Sequence, residues 1–159
     1  MKSSIEMELR IPSHTRYLGM AGHIGEDLVR QLTTYQGDRD ELAQQLNIVL
    51  TEAMANAITH ANREDPDKEV VLRIQVSSSE ILIQVFDMGA GFDLGSVSDP
   101  CFDSSDMDIR GRGIYMIRSL MDAVEYRKAD GGFVLEMKKN LSRAAAERGR
   151  PSPEQKIAS

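Results

Sequence analysis

The segment Glu52-Ala-Met-Ala-Asn56-Ala-Ile-Thr-His60 decides how the fold of this chain is interpreted. Steps of four residues separate Glu52, Asn56 and His60, which predicts one helix face with successive side chains about 6 Å apart. A carboxylate one turn from an amide oxygen suits a hard cation or a hydroxyl that loses its proton. Taken alone, however, the spacing favours a solvated polar helix face.

An apolar stripe extends this helix toward the N-terminus and keeps the polar residues on a separate face. The stripe consists of Leu42, Leu46, Leu50, Ala53 and Ala57. It predicts a helix from about Asp40 to Ala61, which ends at the polar run beginning with Asn62 and at Pro66.

Alternating and helical hydrophobic patterns predict the other elements. They indicate a strand from Ile5 to Ile11, a helix from Tyr17 to about Tyr35, an antiparallel hairpin of residues 69–76 and 81–86, a helix over 113–121 and a closing hairpin of 124–128 and 133–138. The expected fold is α/β, a two-layer sandwich in which helices cover one face of a mixed, mostly antiparallel sheet.

A second polar segment, Asp87-Met-Gly89-Ala-Gly91, directly follows a predicted strand. A carboxylate at a strand end can accept a hydrogen bond from a buried donor such as an exocyclic amine. Gly89 and Gly91 let the backbone approach a flat ring and adopt positive φ. A plain turn with two glycines is an equal alternative.

A third segment, Arg110-Gly111-Arg112-Gly113, enters the predicted helix over 113–121. Backbone N–H groups at a helix N-terminus bind anions, and glycines let a phosphate come close. Arg110 and Arg112 can add charge-assisted hydrogen bonds. A glycine-rich helix entry with solvated arginines remains the alternative, because a lone Gly-x-Gly is weak evidence.

Composition narrows the function classes. The 159 residues carry a formal net charge of −6, which argues against direct nucleic-acid binding because that normally needs a basic face. Cys101 is the single cysteine, so an internal disulfide and a cysteine-cluster zinc site are excluded. No apolar run suits a membrane span or a signal peptide, so we expect a cytoplasmic protein without membrane contact.

In their order and spacing, the three segments resemble the ATPase family shared by gyrase B, Hsp90, histidine kinases and MutL. Its N box is matched by Glu52, Asn56 and His60, its first glycine box by Asp87-x-Gly89-x-Gly91 and its second by Gly111-Arg112-Gly113. Within that family, residues 52–61 and 110–126 look like the anti-sigma-factor serine kinases nearly throughout. The resemblance covers roughly residues 5 to 140 and implies the Bergerat-type ATPase fold.

The resemblance also implies roles for the polar residues. Glu52 would be the general base for a serine or threonine hydroxyl, and Asn56 would ligate the Mg²⁺ that bridges the phosphates of ATP. Asp87 would accept a hydrogen bond from the adenine amino group, in a base pocket shaped by Gly89 and Gly91. His60 is as compatible with packing near the helix end as with contact to the nucleotide.

Further along, the resemblance implies a lid at Asp93–Arg110 and phosphate contacts from Gly111 to Gly113, with Arg110 and Arg112 beside them. Residues 1–141 would form the ATP-binding kinase domain. Residues 142–159 lie outside the resemblance, and we expect a disordered tail there because they have almost nothing apolar to bury. One departure is visible in the last hairpin. Many relatives have a Gly-Thr pair there whose threonine supports the adenine pocket, whereas this chain has Asp130-Gly131-Gly132-Phe133.

Three functions follow from the resemblance. The first is a homodimeric serine/threonine kinase that phosphorylates an anti-anti-sigma (STAS-type) partner and sequesters a sigma factor or another regulator. The second is a nucleotide-gated binding switch without phosphoryl transfer, which the presence of Glu52 disfavours. The third is the detached ATP-binding half of a histidine kinase, ranked last because no phosphoacceptor helix pair precedes the domain.

Overall fold

The structure is a computed structural model that describes residues 4–91 and 109–142. Its strands are β1 (Ile5–Pro12), β2 (Glu69–Val76), β3 (Glu80–Asp87), β4 (Ala123–Ala129) and β5 (Gly132–Asn140). Its α-helices are α1 (Leu18–Arg30), α2 (Arg39–Ala55) and α3 (Ile109–Leu120). A 3-10 turn at Thr15–Tyr17 precedes α1, and a π-helical segment at Asn56–Ala61 continues α2.

The five strands form one sheet in the order β1-β2-β3-β5-β4. Every pairing among the described residues is antiparallel, so the sheet is simpler than the mixed one expected from the sequence. Side chains alternate between its two faces, as in β2, where Val70, Leu72, Ile74 and Val76 are buried. The helices pack on that buried face, which confirms the predicted two-layer α/β fold.

Helix α2 lies at the centre of the helical layer and holds the polar face of the site in place. Two glycines of α1 let the two helices approach closely. A Cβ on Gly25 would lie 2.6 Å from the Leu50 side chain, and one on Gly22 would lie 2.8 Å from both Asn47 and Thr51. The core beneath α2 is almost free of solvent, since Leu46 and Leu50 are at most 1% exposed. The backbone that carries the polar segment is therefore rigidly supported.

Two helix boundaries differ from the sequence prediction. Helix α1 ends at Arg30 instead of Tyr35, although Leu32 and Tyr35 still pack against the core from the turns that follow. The apolar spacing therefore correctly indicated residues that pack against the core, but the last of them lie on turns and not on the helix. Helix α3 begins at Ile109, four residues before the predicted start at Gly113, so the Gly-Arg-Gly run lies inside its first turns.

Parts of two predictions lie outside the described residues, namely the lid over residues 93–108 and the tail over residues 143–159. The prediction that the lid extends to Arg110 is wrong, because residues 109 and 110 belong to α3. Among the described residues, no helix is both long enough and apolar enough to cross a membrane.

Candidate functional site

The side chains of Glu52 and Asn56 meet the first turns of α3. A Cβ built on Gly113 would lie 2.6 Å from Glu52 Oε2 and 3.6 Å from Asn56 Nδ2. Glycine at position 113 therefore leaves room for the carboxylate directly against the helix backbone. Gly113 is the fifth residue of α3, so the carboxylate lies one turn beyond the unpaired N–H groups of the helix N-terminus, which carry partial positive charge.

The amide of Asn56 is buried and incompletely bonded. Asn56 is 6% exposed, and its Nδ2 is the one buried side-chain nitrogen or oxygen that lacks a partner within the described parts of the chain. Burying an unpaired polar group costs about 1–3 kcal/mol, so such a group usually has a partner. A half-turn of the amide would present its oxygen instead, which is a suitable ligand for Mg²⁺.

The surroundings of Asn56 define what kind of metal site would fit. No group of three or more His, Cys, Asp or Glu side chains in residues 4–91 and 109–142 could hold a metal ion. A protein cage is therefore absent from the described chain. The single amide fits Mg²⁺ held mainly by substrate phosphates and water, which is the usual way in which nucleotide-dependent enzymes bind this ion.

The π-helical segment changes the predicted helix face beyond Asn56. The Asn62 N–H donates to the Ala57 carbonyl at 2.9 Å, a bond over five residues that widens the turn. Four-residue steps in a wider turn do not return to the same face, so His60 does not simply continue the line of Glu52 and Asn56. The side chain of His60 is half-buried. Single-turn π segments often occur at functional sites.

Asp87 ends β3, and hydrogen-bond donors hold both oxygens of its carboxylate. The Gly89 N–H donates to Asp87 Oδ1 at 2.8 Å, and the Tyr126 hydroxyl donates to Asp87 Oδ2 at 3.2 Å. Asp87 is only 7% exposed. A buried carboxylate with hydrogen bonds to both oxygens has a fixed orientation, which suits recognition of one further donor.

The two glycines of this loop are required for different reasons. A Cβ on Gly89 would lie 2.6 Å from the carbonyl oxygen of Ala61, so the loop packs directly on the end of the π segment. Gly91 has a φ of 84°, and a Cβ there would overlap the ring of Phe133. Both positions exclude larger side chains. The positive φ expected from the sequence is present at Gly91, whereas Gly89 is required by close packing.

Asn62 ties the same loop to two strands. Its amide is fully buried and donates to Ser13 Oγ at 2.6 Å and to the Glu69 carbonyl at 3.0 Å, while its oxygen accepts from the Met88 N–H at 2.8 Å. The end of the π segment, the start of β2 and the loop after β3 are thereby held in one arrangement.

The structure thus brings the predicted residues together in two groups. Glu52, Asn56 and Gly113 form one group, and Asp87 with its two glycines forms the other. The π segment joins the groups, since it begins at Asn56 and its end contacts Gly89. Gly111 and Arg112 lie in the first turns of α3, where Arg112 is exposed, and Arg110 belongs to the same helix.

Sequence reasoning missed two polar residues that shape the site. Asn62 was interpreted only as part of the run that ends the helix, and Tyr126 only as a strand residue. A local signal for Tyr126 exists, because it is the single aromatic residue in the otherwise polar and aliphatic β4. Asn62 gave no such signal, since asparagine is common just after a helix.

The opposite face of the sheet carries paired charges. Burial acts to raise the pKa of the Glu136 carboxyl, but hydrogen bonds from Gln84 and Arg127 outweigh it, so this pKa lies below its usual range. A hydrogen bond from Arg73 likewise lowers the pKa of Glu8. These contacts belong to a solvated strand face and lie away from Glu52.

Comparison with known proteins agrees with the fold and the family resemblance. The sequence profile described as the histidine kinase-like ATPase domain matches residues 17–139. The serine-protein kinase RsbW of Bacillus subtilis (strain 168) is 27% identical over 139 residues, which cover 82% of this chain and 84% of that protein. The serine-protein kinase RsbW of Bacillus licheniformis is 28% identical over 150 residues, 90% of either chain.

A solved structure supports the architecture alone. The histidine kinase domain of the blue-light activated histidine kinase from Erythrobacter litoralis EL346 has a TM-score of 0.51 and 18% sequence identity, covering 88% of this chain and 67% of that chain. The resemblance to the anti-sigma-factor serine kinases predicted from the sequence is confirmed by the named relatives. The profile match spans most of the chain, and this protein therefore belongs to the histidine kinase-like ATPase domain family.

Proposed function

We propose that this protein is a serine/threonine kinase that uses ATP and Mg²⁺ to phosphorylate an anti-anti-sigma (STAS-type) partner. In its unreacted state it would sequester a sigma factor or a similar regulator. The observation that carries the proposal is the contact between the Glu52 carboxylate and Gly113 in the second turn of α3, beside the unpaired Nδ2 of Asn56.

Glu52 is suited to act as the general base. A pure binding module needs no carboxylate one turn from an anion-binding helix terminus, because the carboxylate would repel the bound phosphate. A kinase does need one, since the proton of the attacking hydroxyl must be accepted as the phosphoryl group is transferred. Glu52 would orient that hydroxyl and take its proton.

Asn56 and the start of α3 are suited to hold the phosphates. The first turn of any α-helix leaves backbone N–H groups without helical partners, and those at the start of α3 would donate to phosphate oxygens. Mg²⁺, when bound, neutralises charge on the phosphates. The amide oxygen of Asn56 would be its ligand from this chain, and that contact would also satisfy the buried amide.

Asp87 is suited to bind the base of the nucleotide. Its carboxylate is fixed by Gly89 and Tyr126 and can accept from an exocyclic amine. Adenine presents such an amine, whereas a base with a carbonyl oxygen at the same place presents a second acceptor. Selection of ATP therefore follows from the pairing of donor with acceptor.

A phosphotransfer assay tests the proposal. Wild-type protein, Glu52→Gln and the matched control Glu125→Gln are incubated with γ-labelled ATP, Mg²⁺ and a candidate partner of the anti-anti-sigma fold. Glu125 is an exposed glutamate on β4. We expect labelled partner with wild type and Glu125→Gln, and a rate about 10²- to 10⁴-fold lower with Glu52→Gln, which still binds ATP.

The alternative function, a nucleotide-gated switch, predicts a different result. Under that function all three proteins bind ATP and the partner, but none transfers label. A further variant, Asn56→Ala, is tested by calorimetry, because loss of the amide should remove the Mg²⁺-dependent part of ATP binding.

A homodimer is also part of the proposal, and light scattering of the purified protein measures its oligomeric state.

A further inference from the structure

The side chain of Tyr126 reaches from the last hairpin to the base-binding carboxylate. Its hydroxyl donates to Asp87 Oδ2 at 3.2 Å, and the two residues are 39 positions apart in sequence. The other oxygen, Oδ1, accepts from the Gly89 N–H at 2.8 Å. The backbone donor on one oxygen and the phenol on the other together favour one rotation of the carboxylate about its last bond.

A second aromatic residue holds the ring of Tyr126. Phe133 stacks on it with ring centroids 5.1 Å apart and planes inclined by 13°. Phe133 is also the direct cross-strand partner of Asp87 in the pairing of β3 with β5, and its ring fills the space next to Gly91. Stacking of this kind is favourable beyond the area it buries, so the ring and its hydroxyl have one preferred position.

We infer that Tyr126 is a positioning residue that orients the Asp87 carboxylate for an amino-bearing nucleobase, and that the stack on Phe133 keeps it in place. The inference rests on the proposed binding of ATP at Asp87. The hydroxyl acts through the carboxylate and itself makes no contact with the base. Without it, Oδ2 loses the phenolic donor and the carboxylate can turn away from the base.

This role has a consequence for nucleotide choice. ATP has an exocyclic amine that donates to a correctly oriented carboxylate, whereas inosine triphosphate (ITP) has a carbonyl oxygen in its place. ITP therefore gains nothing from the orientation of Asp87. Loss of the Tyr126 hydroxyl should weaken ATP binding and leave ITP binding as it is, which a general loss of structure would not do.

The experiment measures the dissociation constants of ATP and ITP by calorimetry in the presence of Mg²⁺. The proteins are wild type, Tyr126→Phe, and Tyr35→Phe as a control for removal of a half-buried phenol elsewhere. We expect Tyr126→Phe to weaken ATP binding about tenfold, with ITP binding unchanged. Tyr35→Phe should bind both nucleotides as wild type does.

A second variant separates the hydroxyl from the stack. Phe133→Leu keeps the phenol but removes its aromatic neighbour, so the ratio of ATP to ITP affinity should fall by less than in Tyr126→Phe. If Tyr126→Phe binds ATP as tightly as wild type does, and ITP likewise, the inference is overturned while the kinase proposal stays intact. A parallel loss for both nucleotides would also overturn it, and wild type that binds no ATP would overturn both.

Discussion

Replacing Gly113 by alanine adds one methyl group between α3 and the carboxylate of Glu52. The new Cβ would lie 2.6 Å from Glu52 Oε2, where ordinary contacts begin at 3.4 Å, so the oxygen has to retreat by about 0.8 Å. The contact to Asn56 Nδ2, at 3.6 Å, is already of ordinary length. The substitution therefore moves the proposed base and little else.

Stability and activity should respond in opposite directions. The displaced atom is the far end of a flexible side chain, so the fold is expected to accommodate the methyl group. Alanine is also preferred over glycine in helices by about 0.5–1 kcal/mol, which corresponds to a rise in melting temperature of roughly 1–4 °C for a chain of this size. Misplacing a catalytic group by about 1 Å, in contrast, can slow a reaction about 10²-fold.

The chain offers a matched control at Gly19. This glycine lies in the first turn of α1, is exposed, and would have no atom within 4 Å of an added Cβ. We expect Gly19→Ala to gain similar stability while phosphorylating the partner at the wild-type rate. Thermal unfolding and the labelled-ATP assay, run on wild type and both variants, measure the two effects separately.

Two outcomes would refute this reasoning. Phosphotransfer by Gly113→Ala at the wild-type rate would mean that the position of the Glu52 carboxylate against α3 does not matter for the reaction. A loss of several degrees in melting temperature would mean that the added methyl group meets a part of the protein that cannot move.

Two further predictions concern stability. Asn62→Ala should lower the free energy of unfolding by about 2–4 kcal/mol in urea titration, because the fully buried amide of Asn62 makes three hydrogen bonds. The control Asn140→Ala, at an exposed position, should stay within about 0.5 kcal/mol of wild type, and equal losses in the two variants would contradict the structural role of Asn62. The lowered pKa of Glu136 stabilises the fold above the carboxyl value of 4.5 and less so as the pH falls below it, because the unfolded state then binds the proton more readily. The advantage of wild type over Glu136→Gln in unfolding free energy should therefore shrink below pH 4.5, and an advantage that grows in acid would show that the bonds from Gln84 and Arg127 are not responsible.

Much of the secondary structure was predictable because its signals are local. Alternation placed all five strands to within two residues, and short turns predicted both hairpins correctly. The spacing from Glu52 to Asn56 lies within one helical turn, so their common face follows from backbone geometry alone. Helix ends were less predictable, as at Arg30, because apolar residues beyond a helix can pack from turns.

Part of the site was also predictable. The three polar segments singled out Glu52, Asn56 and Asp87, whose roles stay predictions, and glycines that the structure places close to other atoms. The departure of Phe133 from the expected threonine was visible in the sequence. Its meaning was not, because the residue that supplies a hydroxyl to Asp87 comes from a different strand.

The sequence by itself therefore determined most of the elements, the ATPase family and the candidate residues of each half of the site. Only the tertiary structure decided how those halves meet. Gly113 contacts Glu52 across 61 positions of chain, and Tyr126 reaches Asp87 across 39. Periodicity reports the neighbours of a residue within a few positions, whereas such contacts depend on how packed layers bring distant segments together. For that reason the spacing of Glu52 and Asn56 predicted a helix face, and the position of α3 made that face a candidate site for phosphoryl transfer.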